Sequence, residues 1–194
     1  MRMLLVWVAA AALVVAGCSE GEKSAGPTAG GAGPDGAVTP APKANMLVLS
    51  STAFNDGEAI PQKHTGEGAD VSPPLAWVGV PEGTKELALI CDDPDAPGPK
   101  PWVHAVVHSI PAGCSALGED DTGGGLYGRN SWGRDEYGGP MPPQGDGVHH
   151  YHFALYALDA KLALSPGATK EKLLAAMKGH ILATAKLIGT YERK

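Results

Sequence analysis

Basic residues are scarce in this chain, and their scarcity excludes several functions. There are 15 Lys and Arg against 21 Asp and Glu, which gives a formal net charge of −6. Binding to DNA or RNA needs a basic face, so nucleic acid is not an expected partner. Docking on anionic lipid through a polybasic patch is disfavoured for the same reason.

Catalytic signatures are missing as well. Residues 45–194 contain no Gly-x-Ser-x-Gly sequence, the turn that presents the nucleophile of α/β-hydrolases. Ser72 and Ser131 have no evident base partner in the sequence. A binding module is therefore favoured over an enzyme, and no cofactor is expected.

Cysteine is scarce too, since only Cys91 and Cys114 occur beyond the first 44 residues. In an oxidising compartment a disulfide between them is the default expectation. If 86–92 and 103–110 pair as antiparallel strands, however, Cys91 lies near His104, about ten residues along the ladder from Cys114. At about 3.3 Å per residue that gap is roughly 30 Å, against a limit of ~7 Å between bridged Cα atoms. We therefore predict that the two cysteines are not linked.

An apolar run stands at the N-terminus. Residues 3–16 follow the basic start Met1-Arg2 and are too short for a comfortable membrane span, so they indicate the core of a secretory signal. The run ends in Val15-Ala16-Gly17-Cys18, which resembles the bacterial lipobox. We predict a signal peptide over 1–17 and a lipid-modified Cys18; an ordinary signal with an incidental cysteine is the alternative.

The residues after Cys18 indicate where the protein resides and how it is tethered. Ser19 favours the outer membrane if the organism is Gram-negative, so the expected location is the cell envelope, by lipid anchor. Of residues 19–44, 10 are Gly or Pro, a composition that cannot bury a core. We expect 18–44 to be a flexible tether of roughly 25–30 Å and 45–194 to be the folded domain.

Polar residues recur at the ends of three apolar runs. Asp92-Asp93-Pro94-Asp95-Ala96-Pro97 follows the run 87–91, Pro101-Trp102-Val103-His104 opens the run 105–107, and Gly147-Val148-His149-His150-Tyr151 opens the run 153–156. Carboxylates and histidines seldom stand beside core strands unless they pair or bind a ligand. Three strands that carry them at their ends predict one shared concave site.

A helix is predicted near the C-terminus. Thr169 can cap it, and an apolar stripe then repeats every three to four residues through Leu173, Met177, Ile181, Ala185 and Ile188. Gly179-His180 can interrupt this helix. The tail 189–193 is expected to add a last short strand.

Six stretches of the domain together resemble the phosphatidylethanolamine-binding protein family, in its bacterial Raf-kinase-inhibitor-like branch. Asp-Pro-Asp-Ala-Pro alone would be a weak signal, and it could be a mere turn after a strand. In order with the other stretches it is strong. The six are Ser72–Trp77, Asp92–Pro97, Trp102–His104, Tyr137–Pro143, Gly147–Tyr151 and Gly189–Tyr191.

The resemblance implies a fold and a pocket. The fold is mostly β (β-rich α+β): a large central antiparallel sheet with a smaller sheet and one or more C-terminal helices. The family pocket takes phosphate-like and carboxylate anions, including phospholipid headgroups. Carried over to this chain, its ligand-binding residues are Asp93, Asp95, Pro97, His104, His149 and Tyr151.

Two departures limit what else the resemblance implies. The eukaryotic motif commonly has Arg before its tyrosine, where this chain has His150. A long insertion between Pro97 and Trp102 is missing as well. Kinase inhibition, known from eukaryotic relatives, is therefore not carried over, and a protein partner stays unidentified.

The physical expectation for the pocket is that carboxylates orient imidazoles. Asp93 and Asp95 would each fix a histidine tautomer and favour the protonated form, which attracts anions. His150 and His152 alternate with His149 along the strand, so they should face away from the site. The loop from Tyr137 to Gly147 is expected to cover the cavity through its bare backbone.

The rival interpretation is an enzyme. Asp93, His104 and His149 form a two-histidine, one-carboxylate set of the kind that binds iron or zinc. The alternative function is therefore a metal-dependent or acid–base phosphoester hydrolase that uses these three residues. No metal motif supports it, so no metal is predicted.

Overall fold

Two antiparallel sheets enclose the core of the described chain, which is residues 46–194 of a computed structural model. The larger sheet has five strands in the order β6-β4-β3-β7-β8, and the smaller has three in the order β1-β2-β5. A 3-10 turn spans Gln62–His64 and one α-helix, α1, spans Lys170–Met177. This confirms the predicted fold class. The strands are β1 Val48–Ser51, β2 Leu75–Val78, β3 Glu86–Asp93, β4 Trp102–Pro111, β5 Ala116–Leu117, β6 Leu126–Tyr127, β7 Val148–Leu158 and β8 Ile181–Glu192.

Strand β3 is the centre of the large sheet, and its sequence explains why. It pairs with β4 on one side and β7 on the other. Leu87, Leu89 and Cys91 face the core shared with the small sheet, whereas Ala88 and Ile90 pack in a second cluster with residues of α1. A strand covered on both faces reads as a continuous apolar run rather than as an alternating one.

The pairing of β3 with β4 decides the cysteine question. Cys91 lies opposite Ala105, next to His104 as expected. Cys91 is free and buried, so the prediction that it is not bridged to Cys114 is confirmed. Burial, followed by the charges of Asp92 and Asp93, raises the pKa of its thiol well above the ordinary range.

The C-terminal helix is shorter than predicted. Thr169 caps it as expected, by accepting a hydrogen bond from the backbone N–H of Lys172. The helix ends at Met177, however, and the predicted helical stripe through Ile181, Ala185 and Ile188 is wrong. These residues belong to strand β8, which pairs with β7 along its whole length. Gly179, with φ of +84°, lies in the break that separates helix from strand.

Several predictions fall outside the described residues. The signal peptide 1–17, the lipidation of Cys18 and the linker 18–44 stay predictions for that reason. Within residues 46–194, no helix is both long enough and apolar enough to cross a bilayer.

Candidate functional site

The three predicted strand ends meet at one edge of the large sheet. Because β3 runs antiparallel to both neighbours, its last residue, Asp93, lies beside the first residues of β4 and β7. A cavity of about 260 Å³ opens there. Five of the six residues proposed from the sequence line it, and Asp95 does not. The complete lining is Asp93, Ala96, Pro97, Trp102, His104, Trp132, Met141, Pro142, Pro143, His149 and Tyr151.

Asp93 and His149 form a buried pair at the floor of this cavity. Their side chains are 4% and 3% exposed, and His149 Nδ1 lies 2.8 Å from Asp93 Oδ2. The other ring nitrogen, Nε2, lies 3.3 Å from Oδ2 of Asp146. Burial acts to lower the pKa of His149, but Asp93 and then Asp146 outweigh it, so the pKa is raised above its ordinary value. His149 is thus the imidazole of the cavity that more readily carries a positive charge.

His104 carries the opposite electrostatic character. Its Nδ1 lies 2.6 Å from the carbonyl oxygen of Gly138. A carbonyl only accepts, so Nδ1 carries the proton and the neutral ring presents Nε2 as an acceptor. Burial lowers the pKa of His104, and the opposing effects of Gly138 and Asp93 do not restore it. The expectation that both imidazoles are protonated and held by carboxylates is therefore wrong for His104.

Tyr151 lines the cavity and carries a hydroxyl that nothing in residues 46–194 satisfies. The residue is fully buried, and its hydroxyl oxygen has no hydrogen-bond partner among the described residues. The Tyr151 ring stands edge-on to the His104 ring, with 5.0 Å between the ring centroids. Burial and the charge of Asp93 raise the pKa of Tyr151, so the group stays protonated and can donate. Leaving a buried hydroxyl unpaired costs about 1–3 kcal/mol, which a ligand oxygen would relieve.

Asp95 lies outside the cavity and serves a different histidine. Its Oδ2 accepts from the ring Nδ1 of His150 at 2.7 Å and from the backbone N–H of His150 at 2.9 Å. The hydrogen bond from His150 lowers the pKa of Asp95. His150 faces away from the buried His149, as the alternation along β7 predicted. The error was to treat both carboxylates of the Asp-Pro-Asp loop as pointing inwards.

The rim of the cavity is apolar, and sequence reasoning did not assign its two tryptophans to the site. It is formed by Trp102, Trp132 and Met141 with the two prolines that follow Met141. The ring of Trp132 stands edge-on to those of Trp102 and His104, with 5.4 and 5.1 Å between ring centroids. Trp102 belongs to a motif that carried the resemblance. Trp132 had no signal in the sequence, because a distant loop carries it to the cavity.

Two ties register that loop to strand β4. Ser131 donates its backbone N–H to the carbonyl of Val103 at 2.9 Å, and its hydroxyl accepts from the backbone N–H of Val103 at 2.8 Å. Gly138 donates to the carbonyl of His104 at 3.0 Å and accepts from its ring. The predicted cover of the cavity by the Tyr137–Gly147 loop therefore has a physical basis in hydrogen bonds to β4.

A metal centre gains no support from this geometry. In the part of the chain that the structure describes, no three His, Cys, Asp or Glu side chains are grouped so that they could hold a metal ion. Asp93 is engaged with His149 and with the backbone N–H of Asp95. The Nδ1 atom of His104 is engaged with Gly138.

A second, larger cavity lies elsewhere on the surface. It measures about 510 Å³ and has five carboxylates in its wall. Asp121 accepts from three backbone N–H groups of its own loop, and Asp135 pairs with Arg129 at 2.8 Å. Asp70 accepts from the backbone N–H of Gly139 at 2.6 Å. These carboxylates hold the loops together.

Comparisons with known proteins identify the class of this chain. Residues 50–192 match the sequence model of the family described as phosphatidylethanolamine-binding protein, and the chain belongs to that family. A UPF0098 protein of Methanothermobacter thermautotrophicus is 52% identical over 151 residues, which are 75% of this chain and 98% of the relative. The Mycobacterium tuberculosis protein named "Putative lipoprotein LppC" is 45% identical over 157 residues, 80% of this chain and 77% of the relative.

Two solved structures share the fold closely. The phosphatidylethanolamine-binding protein homologue CT736 of Chlamydia trachomatis has a TM-score of 0.74 at 42% identity, over 77% of this chain and 99% of that one. The Escherichia coli protein YBCL, described as a member of the mammalian family, has a TM-score of 0.72 at 34% identity, over 76% and 99% of the two chains. The resemblance to the bacterial branch is thereby confirmed.

Proposed function

We propose that this protein binds a small phosphate-like anion, free or as a phospholipid headgroup, in the cavity at the edge of the large sheet. The observation that carries the proposal is the buried hydroxyl of Tyr151, which no described residue pairs, in one cavity with His149, whose pKa is raised. A hydroxyl donor and an imidazolium at one cavity suit an oxygen-rich anion.

The cavity also favours a particular kind of anion. Neutral His104 offers an acceptor, so the ligand should carry a donor of its own, such as a P–OH group or an ammonium. The apolar rim of Trp102, Trp132 and Met141 is suited to a carbon stem beyond the phosphate. A phosphomonoester or a zwitterionic headgroup fits both features better than a bare inorganic ion does.

We further propose that the protein works in the cell envelope, held by a lipid on Cys18 through the linker 18–44 to the folded domain 45–194. Two things support this placement: the lipobox-like Val15-Ala16-Gly17-Cys18 and the lipoprotein name of the mycobacterial relative. Cys18→Ala should release the protein to soluble fractions or leave it unprocessed. A mass spectrum with an unmodified mature N-terminus at another residue would refute the anchor.

Calorimetric titration with phosphoethanolamine tests the pocket. His149→Ala and His104→Ala should each weaken binding by about 1–3 kcal/mol, the range for hydrogen bonds to charged groups. His150→Ala is the matched control, since it removes a neighbouring imidazole that faces away from the cavity. Equal losses for His149 and His150, or no loss for His104 or His149, would mean that the site is misassigned.

Binding without turnover is the second half of the proposal. The same samples should release no inorganic phosphate from phosphoethanolamine over hours. Steady release that His149→Ala abolishes would instead favour the acid–base hydrolase that uses Asp93, His104 and His149.

A further inference from the structure

One carboxylate engages the ring nitrogen of His149 that the proposed ligand would need. His149 uses Nδ1 for Asp93, so Nε2 is the nitrogen left for an anion. That nitrogen lies 3.3 Å from Oδ2 of Asp146. The Asp146 side chain is 48% exposed, whereas that of His149 is 3% exposed. Asp146 therefore reaches His149 from the solvent side, and it is not part of the cavity lining.

Asp146 lies in a short turn between two glycines. Asp146 stands between Gly145 and Gly147, whose φ angles are +81° and +88°. A side chain added at either glycine would meet no atom within 4 Å, so open space surrounds this turn. The N–H of Asp146 bonds to the carbonyl of Pro143 and that of Gly145 to the carbonyl of Arg193. Rotation of the Asp146 side chain alone can free Nε2, because no buried contact retains the carboxylate.

We propose that Asp146 is a built-in competitor that sets the affinity threshold of the pocket, holding the Nε2 position of His149 until an anion displaces it. The inference rests on the proposed function, because it concerns the same site. With Asp93 and Asp146 ionised and His149 protonated, this triad carries a net charge of −1. A weak anion gains too little to displace an internal carboxylate, whereas a phosphate group that also receives the Tyr151 hydroxyl gains more.

The direct test is the affinity of Asp146→Asn for inorganic phosphate, measured on the full-length protein. The measurement is made at about pH 6, below the ordinary histidine pKa of about 6.5, to keep His149 charged. Loss of the competitor should tighten binding about threefold to tenfold, as expected for a half-exposed ion pair. Asp146→Glu keeps the charge and should stay within about twofold of the wild type.

Glu192→Gln is the matched control for net charge. Glu192 is exposed and lies opposite Val148 on the neighbouring strand. Its substitution by Gln removes the same charge as Asp146→Asn, from the same edge of the sheet. Within residues 46–194 no hydrogen bond or ion pair joins the Glu192 side chain to His149, so phosphate affinity should change by less than about twofold. An equal gain for Glu192→Gln and Asp146→Asn would show a general charge effect and would overturn the competitor.

A second readout needs no ligand. Titration of the His149 ring by NMR should give a lower pKa in Asp146→Asn than in the wild type, and an unchanged pKa in Glu192→Gln. Asp93 from β3, His104 from β4, Tyr151 from β7 and the nearby Asp95 remain the same in all three proteins. An unchanged pKa in Asp146→Asn would show that the carboxylate does not engage His149 in solution.

The outcomes separate this inference from the function on which it rests. If the wild type binds phosphate in a manner that needs His149, but Asp146→Asn binds no more tightly, only the competitor is overturned. If neither the wild type nor Asp146→Asn binds phosphate, or His149→Ala binds as the wild type does, the proposed function fails and the inference falls with it.

Discussion

The two cavities of this protein differ in how their polar groups are satisfied, and that difference separates a candidate site from a structural cleft. The larger one, about 510 Å³, has the higher charge, but four of its five carboxylates hold a loop N–H or an arginine. The smaller one, about 260 Å³, buries an ion pair and a hydroxyl that has no hydrogen-bond partner among the described residues. Size and charge alone would have favoured the larger cavity.

The largest expected difference in stability and binding comes from removing one carboxylate from each of the two cavities. Asp93→Ala leaves the His149 ring buried without its acceptor, so the free energy of unfolding should fall by about 2–4 kcal/mol and phosphate binding should be lost. Asp121→Ala frees backbone N–H groups at the surface of the large cleft, which should cost about 1 kcal/mol and leave binding unchanged. Urea unfolding and calorimetry measure both. A loss of phosphate binding in Asp121→Ala would place the ligand in the larger cavity.

The second contrast is in pH dependence. The raised pKa of His149 means that its stabilising pair with Asp93 is fully present below about pH 6.5 and is lost as the pH rises through the folded-state pKa. Affinity for glycerophosphoethanolamine, whose phosphodiester does not titrate there, should fall over the same window, by at most about tenfold per pH unit. His104 acts in reverse, because its lowered pKa makes stability decline as the pH falls below about 6.5.

Two variants check the pH prediction. Asp121→Ala should keep the wild-type profile of ligand affinity, because the large cleft contributes no titrating group to the ligand. His149→Ala should flatten the decline above about pH 6.5. A profile that is unchanged in His149→Ala would show that another group controls the charge of the pocket.

The smallest contrast uses a single oxygen atom in each cavity. Tyr151→Phe removes a hydroxyl that no residue of 46–194 pairs, so stability should be unchanged or rise by up to about 1 kcal/mol, while phosphate binding weakens about fivefold. Tyr127→Phe removes a hydroxyl that donates to the carbonyl of Asp121 at 3.0 Å. Stability should then fall by about 0.5–1.5 kcal/mol with binding unchanged. Thermal unfolding and calorimetry would detect a reversed pattern.

The central strands could be predicted because their apolar composition indicates burial. Strands β3, β4 and β7 are apolar runs that cannot be placed anywhere but in a core. Strand β8 was mistaken for helix because Ile181, Ala185 and Ile188 continue the spacing of three to four residues that begins at Leu173 and Met177. Pairing with β7 decides the outcome, and no local pattern reveals that pairing.

The same distinction applies to the site. Asp93, His104, His149 and Tyr151 could be predicted to converge, because antiparallel strands bring their polar ends to one edge. The direction of Asp95 depends on the turn that follows β3. The lowered pKa of His104 depends on its burial, and the ring nitrogen that carries its proton is set by a carbonyl 34 residues away. The partners Gly138, Trp132 and Asp146 come from loops, whose path is set by long-range contacts.

The two ties between the long loop and strand β4 have a practical consequence for altering this protein. Ser131 and Gly138 each exchange two hydrogen bonds with β4, so the chain from residue 131 onwards is registered to the pocket. Residues 118–125 come before both ties and border the larger cavity instead. The displacement caused by an insertion in this surface stretch would not extend past these hydrogen bonds to the pocket. It is accordingly the place for an epitope or a fluorescent label that leaves binding intact.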